Sequence, residues 1–174
     1  MLFRSLVAQE GVTTTALVPT MLQQLLAYAA AHDVQNAGCG AAGTASPRML
    51  GAGLRVVFSC GAPLAPTVSS AFMNRFGDVL WNVYGAIETG MVSLASPRDL
   101  RKHPGTVGFP LEGVSLRLLK SDHARAPVSA IGELYVRSTM VAEGYHQDQT
   151  ATAASRSDGY FGVGDLAQIG RAHV

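Results

Sequence analysis

The stretch "LRVVFSCGAPLAPTVSSAFMNRFGDVLWNVY", residues 54–84, constrains the fold of this chain more than any other. A β-branched apolar run, a helical repeat stopped by Gly77 and a second apolar run follow one another with short connections. That spacing predicts two parallel strands bridged by a covering helix. The same alternation is expected upstream. Leu2, Phe3, Leu6 and Val7 fall on one helical face that Gly11 closes, and "VTTTALV" reads as a buried strand. Next, "TMLQQLLAYAAAH" reads as a helix with Thr20 as N-cap and Met21, Leu22, Leu25, Leu26 and Ala29 along its apolar face. From Gln35 to Gly53 the chain turns to glycine, alanine, serine and proline, the composition of a flexible surface connection.

Past Pro110 the period changes. "GVSLRLLK" and "GELYVRS" alternate partly in twos about the polar turn "SDHARAP", which predicts an antiparallel pair. A short helix around Gln149 to Ala154 and the turn "DGYFGVGDL" follow. The expected class is therefore α/β: a parallel sheet with covering helices over residues 1–110, then a smaller β-rich subdomain over 111–168.

Such a sheet needs a core, and 48% hydrophobic against 14% charged residues in 174 supplies one, which excludes a disordered chain. Thirteen basic and twelve acidic residues give a net charge of +1 with no basic block, so nucleic acid is not an expected partner. Cys39 and Cys60 lack both metal spacing and a paired framework, and the five histidines are isolated, so reduced structural thiols in the cytoplasm are expected. The uncharged segment from Gly11 to His32 carries Pro19, the threonine run Thr13 to Thr15 and the pair Gln23, Gln24, which are costly in a bilayer; no transmembrane segment is expected. The N-terminus lacks a basic start, a long apolar region and a cleavage site, so no secretory signal is read.

In parallel sheets, ligands sit where loops leave the carboxyl ends of strands. Two loops meet that description, "SCGAPLAP" and "GAIETG". Gly61 and Ala62 carry little side chain and Pro63 fixes the path, so backbone groups can approach a flat ring; an ordinary strand-to-helix turn has the same composition. Asn82, Tyr84, Gly85 and Glu88 crowd the end of a strand, and Glu88 suits Mg²⁺ beside a phosphate, since magnesium takes few protein carboxylates plus substrate oxygens. A solvated turn is the alternative. In "GVGDL", Asp165 is set to accept two ribose hydroxyls, or simply to cap a turn.

Order and context unite these pieces. The run from Leu54 to Gly90, followed by "PGTVGFP", "GELYVRSTMVAEGY" and "DGYFGVGDL", resembles the AMP-forming acyl-CoA synthetase and ligase family of adenylating enzymes, and "VTTTALVPTMLQQLL" resembles that family's preceding strand and helix. The resemblance covers about Gly11 to Leu166. It implies that a carboxylic acid, a fatty one being expected, reacts with ATP to give an acyl-adenylate and pyrophosphate, and that a thiol, coenzyme A or one on a carrier protein, then takes the acyl group. By motif match, Gly61, Ala62 and Pro63 line the adenine, while Asn82, Val83, Tyr84, Gly85, Ala86 and Ile87 wrap the adenine and α-phosphate. Glu88 is the catalytic residue and holds magnesium, Asp165 binds the ribose, and "GTVGFP" helps wall the acyl pocket. ATP or AMP, Mg²⁺ and coenzyme A are the implied cofactors and co-substrate.

Two departures each remove a hydroxyl. Ile87 stands where the family has threonine before the glutamate, with Thr89 nearby as a potential substitute, and Val163 stands where it has threonine before glycine and aspartate. An unreplaced hydrogen bond to phosphate is worth roughly 1.5–3 kcal/mol. The family's phosphate loop and its lysine-bearing lid find no counterpart here; Lys102 and Lys120 match neither lysine position. The expectation is a middle slice of a longer enzyme, inactive by itself, with Met1 internal. "IGRAHV", residues 169–174, resembles an in-frame translation of a sequencing adapter and is set aside as a suspected non-native tail. The alternative is a short non-catalytic protein that keeps the fold as a nucleotide-binding or interaction module.

Overall fold

In the computed structural model, residues 7, 9–37 and 54–170 are described. Most of the expected N-terminal helix, including Leu2, Phe3 and Leu6, lies outside them. Its end is seen: Val7 is helical and buried, and its carbonyl accepts the Val12 N–H across the Gly11 turn. Strand β1 (Thr14–Leu17) follows as expected, but only Leu17 is buried. Among the described residues it is an edge strand, with β2 (Val56–Ser59) on one side, and the threonine run that read as interior is partly solvated.

Helix α1 (Pro19–Ala37) starts two residues earlier than an N-cap at Thr20 predicts. Proline suits the first helical position because that N–H has no intrahelical acceptor, which moves Thr20 inside the helix rather than onto its cap. Leu22 and Ala29 are buried and Leu25 and Leu26 pack against the core at the expected spacing, whereas Met21 is exposed. The helix continues through Ala37, so the connection expected from Gln35 begins later; residues 38–53 lie outside the described ones.

The parallel pair is present. β2 pairs with β3 (Leu80–Ala86), Val57 opposite Leu80 and Ser59 opposite Asn82, and β1 pairs with β2 in the same sense. Helix α2 (Pro66–Phe76) bridges them, opened by Pro66 and closed at Gly77, whose N–H returns to the Met73 carbonyl. Phe72 is fully buried and its ring meets that of Phe76 at 4.7 Å. Strand pairing runs in the order β1–β2–β3–β4–β5, where β4 is Gly90–Ala95 and β5 is Phe109–Pro110. Helix α3 (Pro97–Lys102) was not foreseen; a capping box of Ser96 and Asp99 opens it.

The smaller β subdomain is a four-stranded sheet ordered β6–β7–β9–β8. β6 (Ser115–Leu119) pairs antiparallel with β7 (Ile131–Arg137) as expected. Helix α4 (Gln149–Ala154), capped by Asp148, matches the expected short helix. Beyond β8 (Arg156–Ser157) only Asp158 and Gly159 of the expected turn do turn; from Tyr160 the chain is a nine-residue strand, β9 (Tyr160–Gln168). Arg117 and Arg137 lie 4.0 and 4.7 Å from the Tyr160 ring. Its phenol, 2.8 Å from the Ser115 hydroxyl, is held below its ordinary pKa by that hydrogen bond first and by the arginine charges after it. The Ile169 carbonyl accepts the Ser129 N–H, and residues 171–174 lie outside the described ones.

By contacts the chain divides into two compact units: residues 1–84 with 94–109, and residues 85–93 with 110–174.

Candidate functional site

In the first unit, the register of β2 and β3 determines what shares an edge. Because the strands are parallel and Ser59 lies opposite Asn82, the Gly61–Pro63 turn and the residues Asn82, Val83 and Tyr84 leave the same carboxyl edge. Gly61, Ala62 and Pro63 are exposed there. Asn82 is buried, and its side-chain amide donates to the Thr106 carbonyl at 3.0 Å, which ties the "GTVGFP" segment to β3. Beside Asn82 in register, Ser59 is fully buried and its hydroxyl has no hydrogen-bond partner among the described residues. A buried orphan hydroxyl carries a desolvation cost of about 1–3 kcal/mol, which this edge of the sheet bears.

The second unit contains Gly85, Ala86, Ile87, Glu88 and Asp165. "GAIETG" is a hairpin tip: β3 runs to Ala86, Ile87 to Thr89 turn, and β4 starts at Gly90. The Thr89 N–H bonds the Ala86 carbonyl at 3.2 Å, closing the turn. A glycine is needed at 85 because a Cβ there would stand 2.2 Å from the Gly90 carbonyl oxygen. Ile87 points fully into solvent. Thr89 does the opposite: it is fully buried, and its hydroxyl accepts the Ala86 N–H at 3.3 Å and donates to the Gly90 carbonyl at 3.4 Å. That hydroxyl serves its own turn and does not replace the one missing at Ile87.

Glu88 is half-buried and held twice. Its carbonyl accepts the Ala142 N–H at 2.7 Å, and carboxylate oxygen Oε1 accepts the Tyr145 hydroxyl at 3.3 Å. The remaining carboxylate oxygen suits a magnesium ion that takes most of its ligands from substrate and water. The described residues contain no cluster of three or more His, Cys, Asp or Glu, the donor set an all-protein metal cage would need. Sequence reasoning missed Tyr145; an aromatic closing the "AEGY" run was its signal, but its partner is 57 residues away.

Asp165 stands on β9, not in a turn. Glu133 lies opposite Leu166 and Tyr135 opposite Gly162, so Val163, Gly164 and Asp165 face the single residue Leu134. This is a β-bulge, and Gly164 adopts the φ of +74° that it requires. The bulge leaves Asp165 exposed.

Residues 2–146 match the family model described as AMP-binding enzyme. An indoleacetate–CoA ligase of Aromatoleum aromaticum is 29% identical over 161 residues, 92% of this chain and 28% of the relative. A long-chain-fatty-acid–CoA ligase of Mycobacterium bovis is 36% identical over 121 residues, 69% of this chain and 18% of the relative. Among solved structures, an amide bond synthetase of Marinactinospora thermotolerans superposes with a TM-score of 0.79 at 30% identity, covering 95% of this chain and 31% of that one. The chain thus spans between about a fifth and three tenths of the length of the proteins it resembles. Among the described residues, no helix is long and apolar enough to cross a membrane.

Proposed function

This chain belongs to the AMP-binding enzyme family, and from that premise we propose that it is the nucleotide-holding part of a ligase that joins a carboxylic acid to ATP as an acyl-adenylate and passes the acyl group to coenzyme A. The observation that carries the reading is the parallel register of β2 and β3, by which the Gly61–Pro63 turn and Asn82–Tyr84 share one carboxyl edge. In this reading Gly61, Ala62 and Pro63 present backbone to the adenine. Asn82 to Ile87 follow the adenine and α-phosphate, and Asp165 accepts the ribose hydroxyls. Glu88 holds magnesium through the carboxylate oxygen that Tyr145 leaves open; when bound, magnesium offsets the charge that moves onto pyrophosphate.

The acid is an apolar one, fatty or aryl, a reading supported by the names of the relatives, a fatty-acid–CoA ligase and an indoleacetate–CoA ligase. The cytoplasm is the proposed location. Coenzyme A is preferred over a carrier-protein thiol as acceptor on the same support. Turnover by these 174 residues alone is expected to be undetectable, because nothing in the chain matches the family's phosphate loop or lid lysine.

Titration of AMP into the ¹⁵N-labelled chain tests the reading. Amide shifts concentrated at Gly61, Ala62 and Asn82 to Ala86 are expected. Shifts confined to other surfaces, or none at millimolar AMP, would overturn it.

A further inference from the structure

We propose that Tyr145 is a positioning residue for Glu88, whose hydroxyl holds one carboxylate oxygen so that the other is left for a divalent cation. The proposal rests on the reading of Glu88 as a magnesium ligand and goes beyond it, because it assigns a role to a residue 57 positions away.

The Tyr145 segment has little freedom. The Tyr145 N–H donates to the Thr152 hydroxyl at 2.9 Å, and that hydroxyl donates to the Asp148 carbonyl at 2.7 Å, so the backbone at Tyr145 is tied to the first turn of α4. Arg156 donates from one Nη2 to the Ala142 and Glu143 carbonyls at 3.2 and 2.8 Å. The Tyr145 ring leans on Phe161 at 5.8 Å, tilted by 58°. Upstream, the Ala142 N–H reaches the Glu88 carbonyl at 2.7 Å. Fixed from both sides, the segment delivers a phenol to the Glu88 carboxylate, and the closed hairpin turn fixes the carboxylate's own backbone.

A glutamate on a turn has three side-chain torsions to lose before it can bind a cation in one geometry. A donor on one oxygen removes part of that freedom in advance, as partners outside the ligand set do for metal ligands generally. At 3.3 Å the bond is longer than the optimum for O–H···O, so it orients the carboxylate without competing strongly for its charge. A neutral donor also leaves the carboxylate's negative charge intact, which a lysine or arginine in the same place would offset.

The experiment follows Mn²⁺ titrated with ATP into the ¹⁵N-labelled chain, read as paramagnetic broadening of the Ile87, Glu88 and Thr89 amides, with Ala142 amide exchange as a check that the segment remains docked. In the parent chain those amides broaden first. Tyr145→Phe, which keeps the ring on Phe161, is expected to move the Mn²⁺ midpoint up about fivefold with Ala142 protection unchanged. Glu88→Gln is expected to remove the local broadening. An unchanged midpoint in Tyr145→Phe beside a lost response in Glu88→Gln would overturn the role of Tyr145 and leave the magnesium reading standing. Broadening that survives Glu88→Gln, or that never reaches the hairpin, would overturn the magnesium reading and this proposal with it. A Tyr145→Phe chain that loses Ala142 protection along with the metal would assign the effect to docking of the segment and overturn the role of the hydroxyl.

Discussion

Replacing Thr89 with valine separates two uses of one hydroxyl. The side chain is fully buried, and valine matches its shape, so no cavity opens. What changes is hydrogen bonding: the Ala86 N–H loses an acceptor at 3.3 Å and the Gly90 carbonyl loses a donor at 3.4 Å. Both bonds are long and neutral, at the lower end of the usual 0.5–1.5 kcal/mol each, but two partly buried backbone groups are left less satisfied, so the expected loss is about 1–2 kcal/mol in all. That is roughly a 5- to 30-fold change in a local opening equilibrium. Native-state hydrogen exchange reads it directly: the Ala86 amide in Thr89→Val should lose protection by about that factor, with Phe72 and its neighbours on α2 unaffected. The AMP titration midpoint should move little. An Ala86 amide with unchanged protection, together with AMP shifts that vanish, would mean that the hydroxyl faces ligand instead of its own turn, and the account of the hairpin given above would be wrong.

Two further outcomes follow from packing and capping. Phe72→Ala removes a fully buried ring from the core between α2 and the parallel strands, and should destabilise the first unit by about 3–5 kcal/mol in urea unfolding followed by Trp81 fluorescence; a loss below about 1 kcal/mol would refute its place in that core. Asp99 has its carboxyl held below 3.8, first by the Ser96 hydroxyl, against some opposing burial, and then by the Ser96 N–H and the Arg98 and His103 charges. A depressed folded-state pKa means its contribution is fully present above 3.8 and is lost as pH falls through the lower folded value. The stability difference between the parent chain and Asp99→Asn, about 1 kcal/mol near neutrality, should therefore shrink toward zero at acid pH; a gap that widens on acidification would contradict the capping box.

The elements that could be read in advance are those whose signal is local and repeated. Helix α2 is marked by a proline start, a helical apolar repeat and a glycine stop, and β2 and β3 are apolar runs with turn signals on both sides. Strand β4 and helix α3 were missed although the second carried its own signature, Ser96 followed by Asp99 three residues later, with Pro97 between. "MVSLA" is a short run directly after a turn, and only the hydrogen bonds it makes to β3 distinguish it from loop. The turn expected at Asp165 illustrates a deeper limit. A turn and a β-bulge both call for glycine at positive φ, so "GVGDL" has the same composition in either; the partner strand β7, about thirty residues earlier, decides between them.

The two missing hydroxyls now differ in kind. Val163 sits inside the bulge on β9, where its neighbours are set by the register with β7, whereas Ile87 occupies an open hairpin tip that no packing constrains. A β-branched apolar residue fully in solvent gains nothing from burial, and isoleucine there brings no hydrogen-bond donor to the side chain. Thr89 is two residues away with its hydroxyl committed to Ala86 and Gly90. Phosphate binding at this tip would therefore rest on backbone N–H groups and on the cation that Glu88 is proposed to hold. Such a site loses less in ground-state nucleotide affinity than in any step that develops further charge on the phosphate, because the absent hydroxyl would have contributed most where the charge is greatest. On that ground Ile87→Thr should improve AMP affinity little, and its larger effect belongs to adenylation in a chain that carries the whole reaction.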